Sequence, residues 1–241
     1  MAEMRSAIVT GAGAGIGRAA ALALAARGWR VMVCDIDGAA AACVAAAAGG
    51  DAVAVTADVT DEAALHDVMQ RAVEAGPLRA VVHCAALFPR IDLAVTSIAD
   101  FDRVMAVNLR AGVQISLGAT QTMPDGGALV FLTSGSGLTA AAADPLQRGF
   151  ALYGASKAAL DRWVAGVAPE LAETGIFATT ITPGAFVATP GLAGTGIAPP
   201  AGAATITAER VAEAVVRLAE DRSGAFAGQR LSAAAFGGSW S

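Results

Sequence analysis

The sequence predicts one α/β domain, a doubly wound parallel sheet of about seven strands with helices on both faces. Three observations carry that expectation. Short apolar, β-branched segments alternate with alanine- and leucine-rich segments along all 241 residues, the pattern of parallel strands joined by crossover helices. A glycine-rich turn, Gly11-Ala12-Gly13-Ala14-Gly15-Ile16-Gly17, separates the first apolar segment from the first helical one. No internal repeat or linker interrupts the alternation, so residues 1–241 read as a single domain.

The elements follow in order. Ser6–Thr10 is short and β-branched, a buried strand, and Arg18–Arg27 is a helix ended by Gly28. Arg30–Cys34 is a strand closed by Asp35, and Gly38–Ala48 is helical on composition. Ala52–Thr56 is the third strand; Asp61–Ala75 has an acidic start and the apolar spacing of an amphipathic helix. Strand Ala80–His83, helix Ile98–Gly118 and strand Ala128–Thr133 come next. A long helix over Ala151–Glu173 leads to strand Ile176–Thr182, helix Thr207–Glu220 and a short last strand, Gln229–Ala234. Two stretches break the rhythm: the loop 135–150 and the Gly/Pro/Ala-rich excursion 184–208. Both follow strand carboxyl ends, where such sheets bind ligands, and both read as substrate loops.

Composition excludes several classes. The net charge of −5 argues against nucleic acid as a partner. A mean hydropathy of +0.57 invites a membrane reading. Yet the uncharged stretch Ala185–Ala208 is broken by Gly and Pro, and no clean transmembrane run exists. The start MAEMRSAIVTGAG lacks a basic region followed by an apolar core, so a cytoplasmic location is expected. Cys34, Cys43 and Cys84 have no metal-like spacing and read as buried reduced thiols; no metal is expected.

The glycine turn suits a diphosphate. Gly11, Gly15 and Gly17 allow close backbone approach, Ala14 and Ile16 lie in the same turn with Ala14 offering no basic partner to a 2′-phosphate, and the N-terminus of the helix that follows offers free N–H groups to an anion. Asp35, beside Ile36 after the second strand, lies where a carboxylate accepts from an adenosine ribose. It would repel a 2′-phosphate, which favours NAD over NADP. Asp37 is placed to share that role. Arg18 is the counter-argument, though a solvated arginine at a helix start is the preferred reading. Asp58 and Val59, after the third strand, are placed for the adenine edge, or Asp58 simply caps a loop.

Three residue types occur once each: Tyr153, Lys157 and Asn108. Tyr153 and Lys157 are four apart on a helix and share one face. A phenol is a poor base near neutrality, and a nearby ammonium stabilises its phenolate, so the pair suits proton exchange with an alcohol or ketone.

The turn Thr10-Gly11-x-x-x-Gly15-Ile16-Gly17, followed by Tyr153-x-x-x-Lys157, resembles the short-chain dehydrogenase/reductase family in its compact, single-domain Rossmann branch. The resemblance spans essentially the whole chain. It implies Tyr153 as general acid/base, Ser134 holding the substrate oxygen with Ser136 as its rival, and Lys157 binding the nicotinamide ribose. It implies Asn108 anchoring a proton-relay water, Pro183 and Gly184 as the nicotinamide-side loop, and Thr189 as the carboxamide contact. It also implies a homotetramer, which the apolar segment Leu231–Trp240 and the alanine-rich faces would suit. Three departures stand out. His83-Cys84-Ala85-Ala86 replaces the family's Asn-Asn-Ala-Gly, leaving backbone contacts at Ala85 and Ala86. The Ser134–Tyr153 interval is a few residues longer than the family's usual pattern, and the Pro183–Thr189 spacing is longer by one residue.

The reading is an NAD(H)-dependent oxidoreductase interconverting a secondary alcohol and a ketone. The alternatives are an NADP(H)-dependent ketone or 3-oxoacyl reductase, a catalytically silent NAD-binding sensor, and an extended-branch epimerase or dehydratase. The last is disfavoured because only about 20 residues follow the last helix, too few for a substrate domain. The substrate is a small molecule. Phe186, Val187, Leu192 and Ile197 are placed to wall its pocket, with Phe88, Leu138 and Phe150. They favour a neutral or apolar group at the reacting carbon. Arg90 and Arg148 are candidates to hold a carboxylate but read as surface arginines. Sugars, hydroxy acids, aromatic alcohols and 3-oxoacyl thioesters stay open.

Overall fold

The structure, a computed structural model, describes residues 5–138, 147–194, 196, 198, 199 and 201–241. Seven strands form one parallel sheet: β1 (Ser6–Thr10), β2 (Arg30–Asp35), β3 (Val53–Thr56), β4 (Leu78–His83), β5 (Gly127–Leu132), β6 (Ile176–Thr182) and β9 (Arg230–Ser232), in the order β3-β2-β1-β4-β5-β6-β9. The chain builds outward from β1 to β3, then returns to pair β4 on the other side of β1. That reversal leaves a crevice at the carboxyl ends of β1 and β4, where Thr10 lies opposite both Cys34 and His83.

Alternation along the strands feeds two cores. From β1, Ala7 and Val9 pack with Leu24, Val33 and Val215, while Ile8 packs with Met32, Phe131 and Leu160. The first core is covered by α1 (Gly15–Ala26), α2 (Gly38–Ala48) and α8 (Ala208–Ala219). The second is covered by α3 (Glu62–Glu74), α5 (Ala111–Thr122) and α6 (Ala151–Ala172). Both faces of every central strand are therefore dry, which is why the strands read as near-continuous apolar runs.

Most expected elements are present within a residue or two, and the differences have local causes. Helix α1 begins at Gly15, not Arg18, because its first turn is the glycine turn itself. The helix expected over 98–118 runs to Thr122 and has three parts: α4 (Ile98–Met105), a wide π turn (Ala106–Arg110) and α5. Ser97 and Asp100 form the capping box that starts it. The excursion after β6 is not plain loop. It holds a two-residue parallel ribbon, β7 (Phe186–Val187) with β8 (Thr205–Ile206), and a short helix α7 (Pro190–Gly194). Only Cys34 of the three thiols is buried; Cys43 is exposed and Cys84 half-buried. Asp37 caps α2, its Oδ1 accepting from the Ala39 and Ala40 N–H groups, and unlike Asp35 it does not line the crevice described below. The C-terminal aromatics fold back on their own domain: Trp240 Nε1 donates to the Ser232 carbonyl and its ring meets Phe226 and Phe236. No helix among the described residues is long and apolar enough to cross a membrane.

Candidate active site

Three glycines of the turn do different jobs. A Cβ on Gly11 would lie 2.6 Å from the Ala85 nitrogen, and one on Gly17 would lie 2.1 Å from the Gly11 carbonyl oxygen. Those two are required by chain packing: one seats the β4 loop, the other seats α1 on the turn. Gly15, with φ of +54°, lies under Thr189, whose methyl would be 3.2 Å from its Cβ. Ala14 caps α1 without a side-chain acceptor and no acid occupies the first turn, so the helix end is left for an external anion.

The unexpected glycine is Gly13. Its N–H donates to Asp35 Oδ2 at 2.8 Å, and a Cβ there would lie 2.9 Å from the same oxygen. Asp35 Oδ1 accepts from the Asp37 N–H at 3.0 Å. The turn thus aims the carboxylate across the mouth of the crevice. Arg18 is exposed and does not line that crevice. Asp58 accepts from the Thr60 N–H and hydroxyl, so its loop-capping role is present.

At the other end, α6 supplies the paired side chains. The Ser134 hydroxyl faces the Tyr153 phenol and lowers its proton affinity, and Ser134 Oγ accepts the Ser136 N–H at 3.2 Å. Glycines make this approach possible: a Cβ on Gly154 would lie 2.6 Å from the Ser136 carbonyl oxygen, and one on Gly137 would lie 2.9 Å from the Ala158 nitrogen. Ser136 stays on the turn, so Ser134 is the serine that meets the phenol. Lys157 is 2% exposed, donates to the Leu132 carbonyl at 2.8 Å, and lies 5.9 Å from the Tyr153 ring centre. Burial lowers its ammonium to about 8, opposed in part by electrostatic coupling to Cys84 and to the Asp161 carboxylate. The expected lowering of the phenol is not seen. Burial raises Tyr153 above its ordinary value, and the Ser134 hydroxyl pulls it back only in part.

Asn108 sits behind the crevice. It is fully buried in the π turn and does not line the crevice. Its Oδ1 accepts the Leu87 N–H at 2.7 Å, while Nδ2 donates to the Leu87 carbonyl at 2.8 Å and to Ser156 Oγ at 2.9 Å. Asn108 therefore ties the loop after β4 to α6. His83, where the family has Asn, is fully buried with Nδ1 2.8 Å from the Thr10 hydroxyl. The same hydroxyl accepts the Ala85 N–H at 3.3 Å, so Thr10 joins the His83 ring to the loop after β4. Burial, then the Lys157 charge, hold His83 down to about 3.

A crevice of about 930 Å³ joins these groups. Gly11, Ala14, Gly15, Ile16, Gly17, Asp35, Ile36, Asp58 and Val59 line one end; Ala85, Ala86, Ser134, Tyr153, Lys157, Pro183, Gly184 and Thr189 line the rest. The anion-ready helix end, the carboxylate at the β2 terminus and the Tyr–Lys pair together fit a nicotinamide dinucleotide. Of the expected pocket walls, Phe88, Leu138, Phe150, Phe186, Val187 and Leu192 line it. Ile197 lies outside the described residues. Arg148 is paired to Asp92 at 3.0 Å and Arg90 donates to the Arg148 carbonyl; neither lines the crevice.

Two contributors were missed. Arg230 of β9 donates through Nη2 to the Ser134 carbonyl at 2.8 Å and through Nε to Asp161 Oδ2 at 3.0 Å. Asp161 Oδ1 is buried without a hydrogen-bond partner among the described residues. Asp161 was findable, being one helical turn beyond Lys157. Arg230 was not, because nothing local places β9 beside β6.

The sequence profile of short chain dehydrogenase matches residues 5–195. The chain is 32% identical over 196 residues to the (3R)-3-hydroxyacyl-CoA dehydrogenase of Mus musculus, covering 76% of this chain and 74% of that one. It is 34% identical over 186 residues to the galactitol 2-dehydrogenase of Agrobacterium fabrum, covering 74% and 69%. A dehydrogenase/reductase structure from Sinorhizobium meliloti 1021 superposes with a TM-score of 0.83 at 31% identity, covering 95% and 92%. With glycine turn and Tyr–Lys helix both inside the matched span, the chain belongs to the short-chain dehydrogenase family, oxidoreductases that act on CH–OH groups with a nicotinamide cofactor.

Proposed function

We propose that the protein interconverts a secondary alcohol and a ketone with NAD(H), using Tyr153 as general acid/base. The observation that carries this is the Ser134–Tyr153 hydroxyl pair, set in the same crevice as the glycine turn. In the oxidative direction the phenolate form of Tyr153, once its own proton has left, takes the alcohol proton at its oxygen, and in the reductive direction the phenol gives that proton to the ketone oxygen. Ser134 donates to the substrate oxygen and holds it against that phenol. The buried Lys157 ammonium is the chain's own positive charge beside the phenolate that must form. A bound nicotinamide would supply the acceptor for the hydride that leaves the alcohol carbon. The diphosphate would lie on the N–H groups of Gly15, Ile16 and Gly17, and the adenosine ribose on Asp35.

NAD over NADP is supported by the Asp35 carboxylate held at the crevice mouth and by Arg18 lying outside the lining. A homotetramer belongs to the same proposal, supported by family membership and by the exposed Leu93, Val95 and Ile98. Calorimetric titration with NADH and NADPH tests the cofactor. Tight NADH and weak NADPH are expected, and the reverse preference would move the reading to a ketone reductase using NADPH.

A further inference from the structure

We infer that the substrate is a neutral secondary alcohol or ketone carrying an aryl or alicyclic ring next to the reacting carbon. This rests on the oxidoreductase reading and narrows it. Two phenylalanines from separate loops meet beside the reacting phenol. Phe88, after β4, stacks on Phe150, before α6, with ring centres 5.0 Å apart and planes 18° apart. Phe88 also meets the Tyr153 ring edge-on at 4.4 Å, and Phe150 does so at 6.2 Å. Both line the crevice, so the wall beside the Tyr153 ring is an aromatic slab. Leu138, Phe186 and Leu192 extend that apolar lining. Such a surface favours a ring that packs against it, with no polar group to satisfy.

Charge points the same way. The two cations lining the crevice are both engaged: Lys157 by the Leu132 carbonyl, Arg230 by Asp161 and the Ser134 carbonyl. The nearby Arg148 is held by Asp92 outside the crevice. Residues 139–146 contain no Lys or Arg, and residues 185–208 contain no charge at all. A carboxylate or phosphate buried next to the reacting carbon would have no countercharge. A polyol would fare poorly too. Hydroxyl groups buried against the Phe88–Phe150 pair lose their water without replacement.

The test is a turnover panel on the full chain with NAD and with NADP: 1-phenylethanol, cyclohexanol, galactitol and 3-hydroxybutyrate. The expected result is kcat/KM for 1-phenylethanol or cyclohexanol at least 100-fold above galactitol and 3-hydroxybutyrate. Comparable or better turnover of galactitol or 3-hydroxybutyrate overturns the ring-bearing class and leaves the oxidoreductase reading standing. If nothing turns over, acetophenone binding to the NADH complex, read by NADH fluorescence, separates the two. Binding keeps the substrate class and rejects the activity, and no binding rejects the class. The Phe88→Ala variant is expected to raise KM for 1-phenylethanol 10-fold or more with a smaller change in kcat, and Phe88→Leu to restore most of it. An unchanged KM in Phe88→Ala removes the aromatic wall from the argument.

Discussion

Arg230 donates to the backbone carbonyl of Ser134 over 2.8 Å, tying the last strand of the sheet to the residue that meets the Tyr153 phenol. Its other partner, Asp161, stands one turn from Lys157, so one guanidinium spans β5, β9 and α6. Arg230 is a positioning residue. Replacing it with Met frees the Ser134 carbonyl and leaves Asp161 half-buried without its cation. Misplacement of a reacting group by about 1 Å costs on the order of 100-fold. The Arg230→Met variant is expected to lose roughly ten- to a hundredfold in kcat, while NADH affinity stays within about twofold and Arg230→Lys recovers part of the loss. Equal damage to NADH affinity in Arg230→Met would show general unfolding instead.

The Ser134–Tyr153 pair makes the second prediction. Removing the phenol oxygen in Tyr153→Phe leaves the aromatic packing with Phe88 and Phe150 in place. General acid–base catalysis supplies about 10²–10⁴-fold, and turnover should fall by that much in stopped-flow assays. NADH binding should be unchanged.

Asp35 is expected to govern cofactor choice. Its carboxylate is held by the Gly13 and Asp37 N–H groups with acceptor capacity remaining. A hydrogen bond to a charged group is worth about 1.5–3 kcal/mol, so Asp35→Ala should weaken NADH by roughly ten- to a hundredfold in calorimetry. NADPH should lose less, and equal losses for both cofactors would remove Asp35 from ribose recognition.

Lys157 sets function against stability. Its ammonium is lowered from 10.5 to about 8 by burial, so between those values the unfolded chain holds a proton that the folded one does not. Stability rises with pH across that window, and at pH 7 the fold bears the full cost of the buried charge. Lys157→Met relieves that cost but strands the Leu132 carbonyl, and the net gain at pH 7 is on the order of 2 kcal/mol. Thermal melts should show the variant more stable and inactive, with the advantage shrinking towards pH 10.5.

His83 acts on the acid side. Held at about 3 against 6.5 when unfolded, it takes up its proton only on unfolding across that range. Stability should fall by about 1.4 kcal/mol for each pH unit below 6.5 on its account. His83→Asn should give a shallower acid limb in urea melts at pH 7, 5 and 4, and parallel curves would defeat the assignment.

Much of this protein is written locally. Strand and helix identity follow from apolar runs, alanine-rich stretches and caps such as Ser97 with Asp100. The glycine turn, Asp35 and the Tyr153–Lys157 spacing announce themselves because each is a short-range pattern, within one turn, one strand end or one helical face. What depends on residues far apart was not legible. The π turn that lets Asn108 grip Leu87, the Gly13–Asp35 bond, the Phe88–Phe150 slab and the Arg230–Ser134–Asp161 bridge each join segments brought together by the sheet order. The state of the phenol belongs with them. Spacing put a lysine near Tyr153, but burial, a property of the assembled core, decides that the free phenol is raised instead of lowered.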